Sequence, residues 1–128
     1  MKEVLAVIRM NKMNETKQAL VEAGIASFTA RKVIGRGVGK VDYLLLKGAE
    51  AGHEEAINQL GPGPKLIPKR MLIVVVPDTT VPRVVSTIID VNQTGNPGDG
   101  KIFVMPVSET IRLRTGECDH AALDESAD

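Results

Sequence analysis

Residues 66–76, LIPKRMLIVVV, constrain this chain more than any other stretch. They end in six consecutive apolar residues, four of them β-branched, a pattern that belongs inside a β-sheet. The run is far too short to cross a bilayer, which takes about 20 apolar residues. A second β-branched run, KEVLAVIR at 2–9, reads as another buried strand. The 128 residues suffice for one domain with one core.

The remaining elements alternate around these two runs. Asn14 is a candidate N-cap for a helix whose Thr16, Ala19, Leu20 and Ala23 share a face, and Gly24 is its stop signal. SFTARKVI at 27–34 reads as the second strand. A glycine-rich, polar stretch then opens a long loop over about 37–65, in which 41–47 could extend a hairpin and 53–60 could form a helical turn. After 66–76, Pro77-Asp78 ends the strand and Thr79 or Thr80 can cap a helix striped by Val81, Val84, Val85, Ile88 and Ile89. KIFVMPV at 101–107 supplies a fourth strand, and the alternation in IRLRT at 111–115 suggests a C-terminal edge strand. Strand, helix, strand, loop, strand, helix, strand is the α+β split βαβ, or ferredoxin-like, arrangement. It covers one sheet face with two helices and leaves the other in need of cover, most easily from further copies of the chain.

Charge and composition narrow the function. Lys plus Arg and Asp plus Glu number 16 each, so no global field draws nucleic acid or an anionic membrane. Two Phe, one Tyr and no Trp leave almost no stacking platform for single strands. The N-terminus lacks the regions of a signal peptide, and the single Cys118 cannot close an internal disulfide, so the expected compartment is a reducing cytoplasm. Five acids fall in the last twelve residues, which contain no Lys or Arg, leaving 16 basic against 11 acidic residues in the body. The tail is either a solvated terminus or an acidic arm competing for a basic site on the body.

Three features carry possible chemistry. TGNPGDGKI at 94–102 has the glycine and lysine spacing of a phosphate loop, but Ile102 stands where that motif needs Ser or Thr, and the loop follows a helix rather than a strand. It is not a Walker A motif. Its amides beside Lys101 could still cradle a phosphate, or the segment could be a plain turn. Arg112 and Arg114, two apart on a strand, would share one face and suit phosphate oxygens, although basic residues also protect sheet edges. Gly35, Gly37 and Gly39 with Lys40 allow close approach of a ligand or form a hinge. Lys69 would matter if a hairpin turned it toward that glycine segment. Catalytic constellations are missing from the pattern: His53 and His120 lack partners, and acidic neighbours make Cys118 a poor nucleophile. One Cys and two scattered His do not form a metal site. Asp99 alone could position magnesium or water, so a slow ATPase is the enzymatic alternative to binding without turnover.

In TGNPGDGKIFV at 94–104 and IRLRTGE at 111–117 the sequence resembles the PII signal-transduction family. KEVLAVIR, EAGI at 22–25, VIGRG at 33–37, KGAE at 47–50 and VVVPD at 74–78 support the likeness, which runs over 1–117 and leaves 118–128 as an acidic tail. The resemblance implies trimers, or mixed assemblies with a paralogue, with ATP and ADP competing in clefts between subunits and 2-oxoglutarate bound beside ATP through magnesium. It implies that Gly98, Asp99, Gly100 and Lys101 cradle phosphates and that Arg112 and Arg114 reach them from the neighbouring subunit. Thr29 with Gly35, Arg36 and Gly37 would hold adenine; Gly39, Lys40 and Lys69 would hold the keto acid. The family's magnesium-chelating glutamine falls at Gly39, which has no side-chain ligand, so that role would pass to another residue such as Gln59. The tyrosine uridylylated in some members corresponds to Ala51, which excludes that modification. The insertion at 52–64 resembles variants encoded in nitrogen-fixation operons, which implies control of nitrogenase by direct contact through the long loop. An ammonium transporter, a nitrogen-assimilation enzyme or transcription is the alternative target.

Overall fold

The structure is a computed structural model and describes residues 1–37 and 66–124. The long loop, including the expectations for 41–47 and 53–60, lies outside the described residues. Strand β1 (Lys2–Arg9) leads through a 3-10 turn into helix α1 (Met13–Glu22), then strand β2 (Thr29–Gly35). Strand β3 (Ile67–Val76), helix α2 (Val81–Asn92) and strand β4 (Gly100–Pro106) repeat the unit. The sheet is antiparallel in the order β2-β3-β1-β4, which is the expected ferredoxin-like topology.

Alternation in the strands decides which side chains meet the helices. Val4, Ala6 and Ile8 of β1 and Leu72, Val74 and Val76 of β3 point to the helical layer and are at most 2% exposed. They pack against Leu20 and Ile25 from the α1 side and Val84 and Ile88 of α2. The core is therefore aliphatic, as the shortage of aromatics requires; Phe28 packs only at its margin. Helix α1 ends where expected. Gly24 adopts φ +88°, and the Gly24 and Ile25 amides donate to the Val21 and Leu20 carbonyls, which closes the helix and buries Ile25.

The start of α1 departs from expectation. Lys12, not Asn14, is the N-cap residue, because the 3-10 turn Met10–Lys12 runs straight into the helix and places Asn14 inside its first turn. Thr16 is buried on the face toward α2, where its hydroxyl donates to the Lys12 carbonyl. Asn92 of α2 reaches across, its side-chain amide donating to the Thr16 hydroxyl at 3.0 Å and to the Ile88 carbonyl at 2.9 Å. The two helices are thus cross-linked by a buried polar bridge.

The C-terminal segment departs more sharply. Residues 111–115 add no strand to the sheet. Ile111 instead forms an isolated bridge with Cys118, the Arg112 amide donates to the Glu117 carbonyl, and Gly116 at φ +74° donates back to Arg112. The alternation of apolar and basic residues suits a bridge as well as a strand, and the local turn satisfies the backbone without a neighbour. Ile111 and Leu113 are left 55% and 100% exposed.

Leu20→Ala removes a fully buried side chain and is expected to cost about 2–5 kcal/mol, whereas Val21→Ala at the exposed neighbouring position should stay within about 0.5 kcal/mol. Urea midpoints of the two variants check the burial assignment.

Candidate functional site

The strand register gathers several of the expected residues at one end of the sheet. Arg9 closes β1 opposite Lys69, Gly100 opens β4 opposite Ile8, and Gly35 ends β2 opposite Ile67. Arg36 and Gly37 follow Gly35 at this end, and both are exposed. Gly98, Asp99 and Lys101 complete the group. Gly39 and Lys40 lie outside the described residues.

Between α2 and β4 the chain folds around one carboxylate. Asp99 accepts the Thr94 hydroxyl at 2.5 Å and the Thr94 and Gly95 amides at 2.7 and 2.9 Å, and it forms an ion pair with Arg9. The second terminal nitrogen of Arg9 donates to the Pro97 carbonyl at 3.0 Å. Lys69 donates to the Gly98 carbonyl at 2.7 Å. Strands β1 and β3 thereby staple the loop from beneath. Gly100 is fixed by sterics: at φ +111° a Cβ there would lie 1.8 Å from the Val7 carbonyl oxygen.

The amides at 94 and 95 do form an anion-binding concavity, but its occupant is the chain's own Asp99, because the carboxylate lies within reach of its own turn. Partial burial alone would raise the Asp99 pKa; hydrogen bonds from Thr94, Arg9 and the Gly95 amide outweigh it and hold the carboxyl well below the usual carboxylate range. Such an acid is a poor general base, and its oxygens are engaged by four donors. No group of three or more His, Cys, Asp or Glu suited to a metal occurs among the described residues.

Cations crowd this end of the sheet. Arg9 faces Lys69 across β1 and β3, and Lys32 faces Arg70 across β2 and β3. Like charges directly opposite destabilise a sheet. Burial, with Arg9 next to it, lowers the Lys69 pKa, and Asp99 offsets this only in part. The hairpin does bring Lys69 opposite Val33, as required for it to face the glycine segment, but its amine reaches across to the loop at Gly98. Lys101 is exposed and forms no ion pair among the described residues.

The other expected residues lie elsewhere in the chain. Thr29 opens β2 opposite Ile73, four positions along β3 from Lys69. Arg112 and Arg114 belong to the segment after β4, tethered to the start of β1: Val107 donates to the Met1 carbonyl and the Thr110 hydroxyl contacts the Met1 sulfur. That is the opposite end of an eight-residue strand, roughly 25 Å from Arg9 at about 3.3 Å per residue. The two arginines also differ, contrary to the shared face expected of a strand. Arg112 pairs with Glu117 at 2.9 Å and Asp124 at 3.4 Å, while Arg114 is exposed in the turn.

Sequence reasoning missed Arg9 and Thr94. Arg9 was legible only as a lone cation ending an apolar strand, and Thr94 only as a hydroxyl residue five before Asp99 in a turn.

The described residues thus form a ferredoxin-like α+β domain with a stapled glycine loop and a cation-rich sheet end. The family model for nitrogen regulatory protein P-II matches residues 1–117, and the chain belongs to that family. It is 42% identical over 128 residues to nitrogen fixation nifHD region GlnB-like protein 2 of Methanobacterium ivanovii, covering 96% of this chain and 99% of the relative. The protein of the same description in Methanococcus maripaludis is 44% identical over 123 residues, covering 96% and 100%. Nitrogen regulatory protein P-II 1 of Escherichia coli strain K12 is 41% identical over 123 residues with the same coverage.

The Asp99 linkage has a definite sign. A carboxyl whose folded pKa is depressed contributes stability fully above its unfolded pKa of about 4 and loses it as pH falls further. Asp99→Asn should therefore be less stable than the parent at pH 7, with the gap narrowing steadily below about pH 4. Urea titrations across that range measure it; a gap that is constant with pH would refute the linkage.

Proposed function

We propose that this chain is a nitrogen-status sensor that binds ATP and ADP between subunits without turning them over. The observation that carries the reading is the surplus of positive charge at one end of the sheet. Arg9, Lys69 and Lys101 share the sheet face away from the helices at this end, Arg9 is paired with Asp99, and Lys69 and Lys101 form no ion pair among the described residues, while Lys32 and Arg70 stand opposite each other on the helix-side face. A polyphosphate would relieve like-charge repulsion that the fold otherwise tolerates at a cost, and the likeness to the P-II family favours an adenine nucleotide as its source.

The separation of the two cationic groups favours a composite site. Lys101 and its loop lie at one end of the sheet and Arg112 and Arg114 at the other, too far apart within one subunit for one phosphate chain. A trimer, or a mixed assembly with a paralogue, would bring the arginines of one subunit to the loop of the next. The sheet face opposite the helices supports assembly: Leu5, Val7, Ile73, Val75, Phe103 and Met105 lie on it, with Phe103 48% exposed. Thr29 and the backbone at 35–37 would then hold adenine. Lys69, short of counter-charge, would pair with a carboxylate of 2-oxoglutarate beside Gly39 and Lys40, with magnesium held through the ATP phosphates. Binding would bias the long loop between states, and coupling of 1–3 kcal/mol is typical of such control. The nifHD-region descriptions of two relatives favour a nitrogenase component as the protein contacted, in the cytoplasm.

Calorimetry tests the core of this. ATP should bind the native assembly, and Lys101→Glu with Arg112→Glu and Arg114→Glu should abolish that heat while leaving the far-UV circular dichroism intact. Unchanged ATP affinity in the triple variant would refute the site. 2-Oxoglutarate should give heat only after ATP and magnesium, and Lys69→Ala should remove it. Native mass measurement should report three subunits per assembly.

A further inference from the structure

We propose that the acidic C-terminal segment is a built-in competitor for the nucleotide, held on Arg112 in the position that phosphate oxygens would take. The inference rests on the assignment of Arg112 to the phosphate site.

Both terminal nitrogens of Arg112 are engaged by its own chain. Nη1 donates to Glu117 Oε1 at 2.9 Å, and Nη2 approaches Asp124 Oδ1 and the Ala122 carbonyl, each at 3.4 Å. A guanidinium binds phosphate through this same fork of donors, so these contacts and a phosphate exclude each other. The backbone is built to make them. The Asp119 amide donates to the Thr110 carbonyl at 2.6 Å, and Asp119 takes φ +55°, a conformation uncommon for a residue other than glycine. The turn Asp119–Ala122 then returns the chain toward Arg112. Thr115 fixes the remaining acid, its hydroxyl donating to Glu117 Oε1 at 2.8 Å.

The contact is selective. Generic attraction between an acidic tail and a basic body would favour the more exposed arginine, yet the segment takes Arg112 and leaves Arg114 without an ion pair among the described residues. Because the contacts exclude each other, docking of the segment lowers apparent nucleotide affinity by the fraction of subunits in which it is docked, and nucleotide releases the segment to the same extent. The Asp124 pair is half exposed, and such pairs contribute about 0.2–1 kcal/mol, which corresponds to a roughly 1.4- to 5-fold change in affinity. The segment would thus set the nucleotide concentration at which the sensor responds rather than block it.

The test uses the full chain, Asp124→Asn, and a chain ending at Leu123, titrated with ATP and with ADP by calorimetry. Glu109→Gln removes an equal charge from an exposed neighbouring position as the control. Asp124→Asn and the shortened chain should bind about 1.4- to 5-fold more tightly, Glu109→Gln should not, and the gain should vanish when Arg112→Ala is added. Hydrogen exchange at residues 119–124 of the full chain should rise on addition of ATP. If Arg112→Ala weakens ATP binding but Asp124→Asn and the shortened chain match the parent, the competitor is overturned while the phosphate site stands. If Arg112→Ala leaves ATP binding unchanged, the phosphate assignment itself fails and the competitor with it.

Discussion

The Asp99 carboxylate sits where the second helix hands over to the last strand, and the geometry of that end of the sheet depends on what it holds. Its two oxygens collect a hydroxyl, two amides and a guanidinium. Each of these donors would otherwise need water or a ligand. With the acid ionised and saturated, the glycine-rich turn has a defined shape before any ligand arrives, and binding need not order it. Arg9 matters as much as the acid, since it bridges Asp99 and the Pro97 carbonyl and carries the loop on the central strand of the sheet.

On the proposed reading, a preformed loop on one end of the chain and two arginines on the other make a protein that is incomplete alone. Each chain would then carry one half of a site at either end, and eight residues of β1 keep the halves apart. Rigid separation of this kind would make nucleotide binding a report on how neighbouring subunits sit, as the proposed sensor requires. The exposed apolar sheet face, and Leu113 with no packing partner of its own, fit the same account.

Much of the framework was legible in the sequence. The β-branched runs at 2–9 and 66–76 and the stripe Val81, Val84, Val85, Ile88 follow periods that only buried strands and an amphipathic helix satisfy. The glycine spacing before Lys101 correctly marked a special turn. What the spacing left open was whether the turn's amides await a ligand or close on a side chain, since Asp99 and Arg9 meet across 90 positions of sequence. Asn14 misled because a 3-10 turn extends the helix backward and makes a cap there unnecessary. The alternation in 111–115 misled because a bridge closed by Gly116 and Glu117 presents the same pattern as a strand.

The contact between Gly100 and the Val7 carbonyl acts as an alignment stop for β4. Slippage by one residue in either direction would bring Asp99 or Lys101 to the glycine's place, and either would drive a Cβ toward a backbone oxygen. The same slip would turn Phe103 inward and Ile102 outward, since side chains alternate along a strand. A single hydrogen atom in place of a side chain therefore indexes the last strand against the first, and with it determines which face Lys101 occupies.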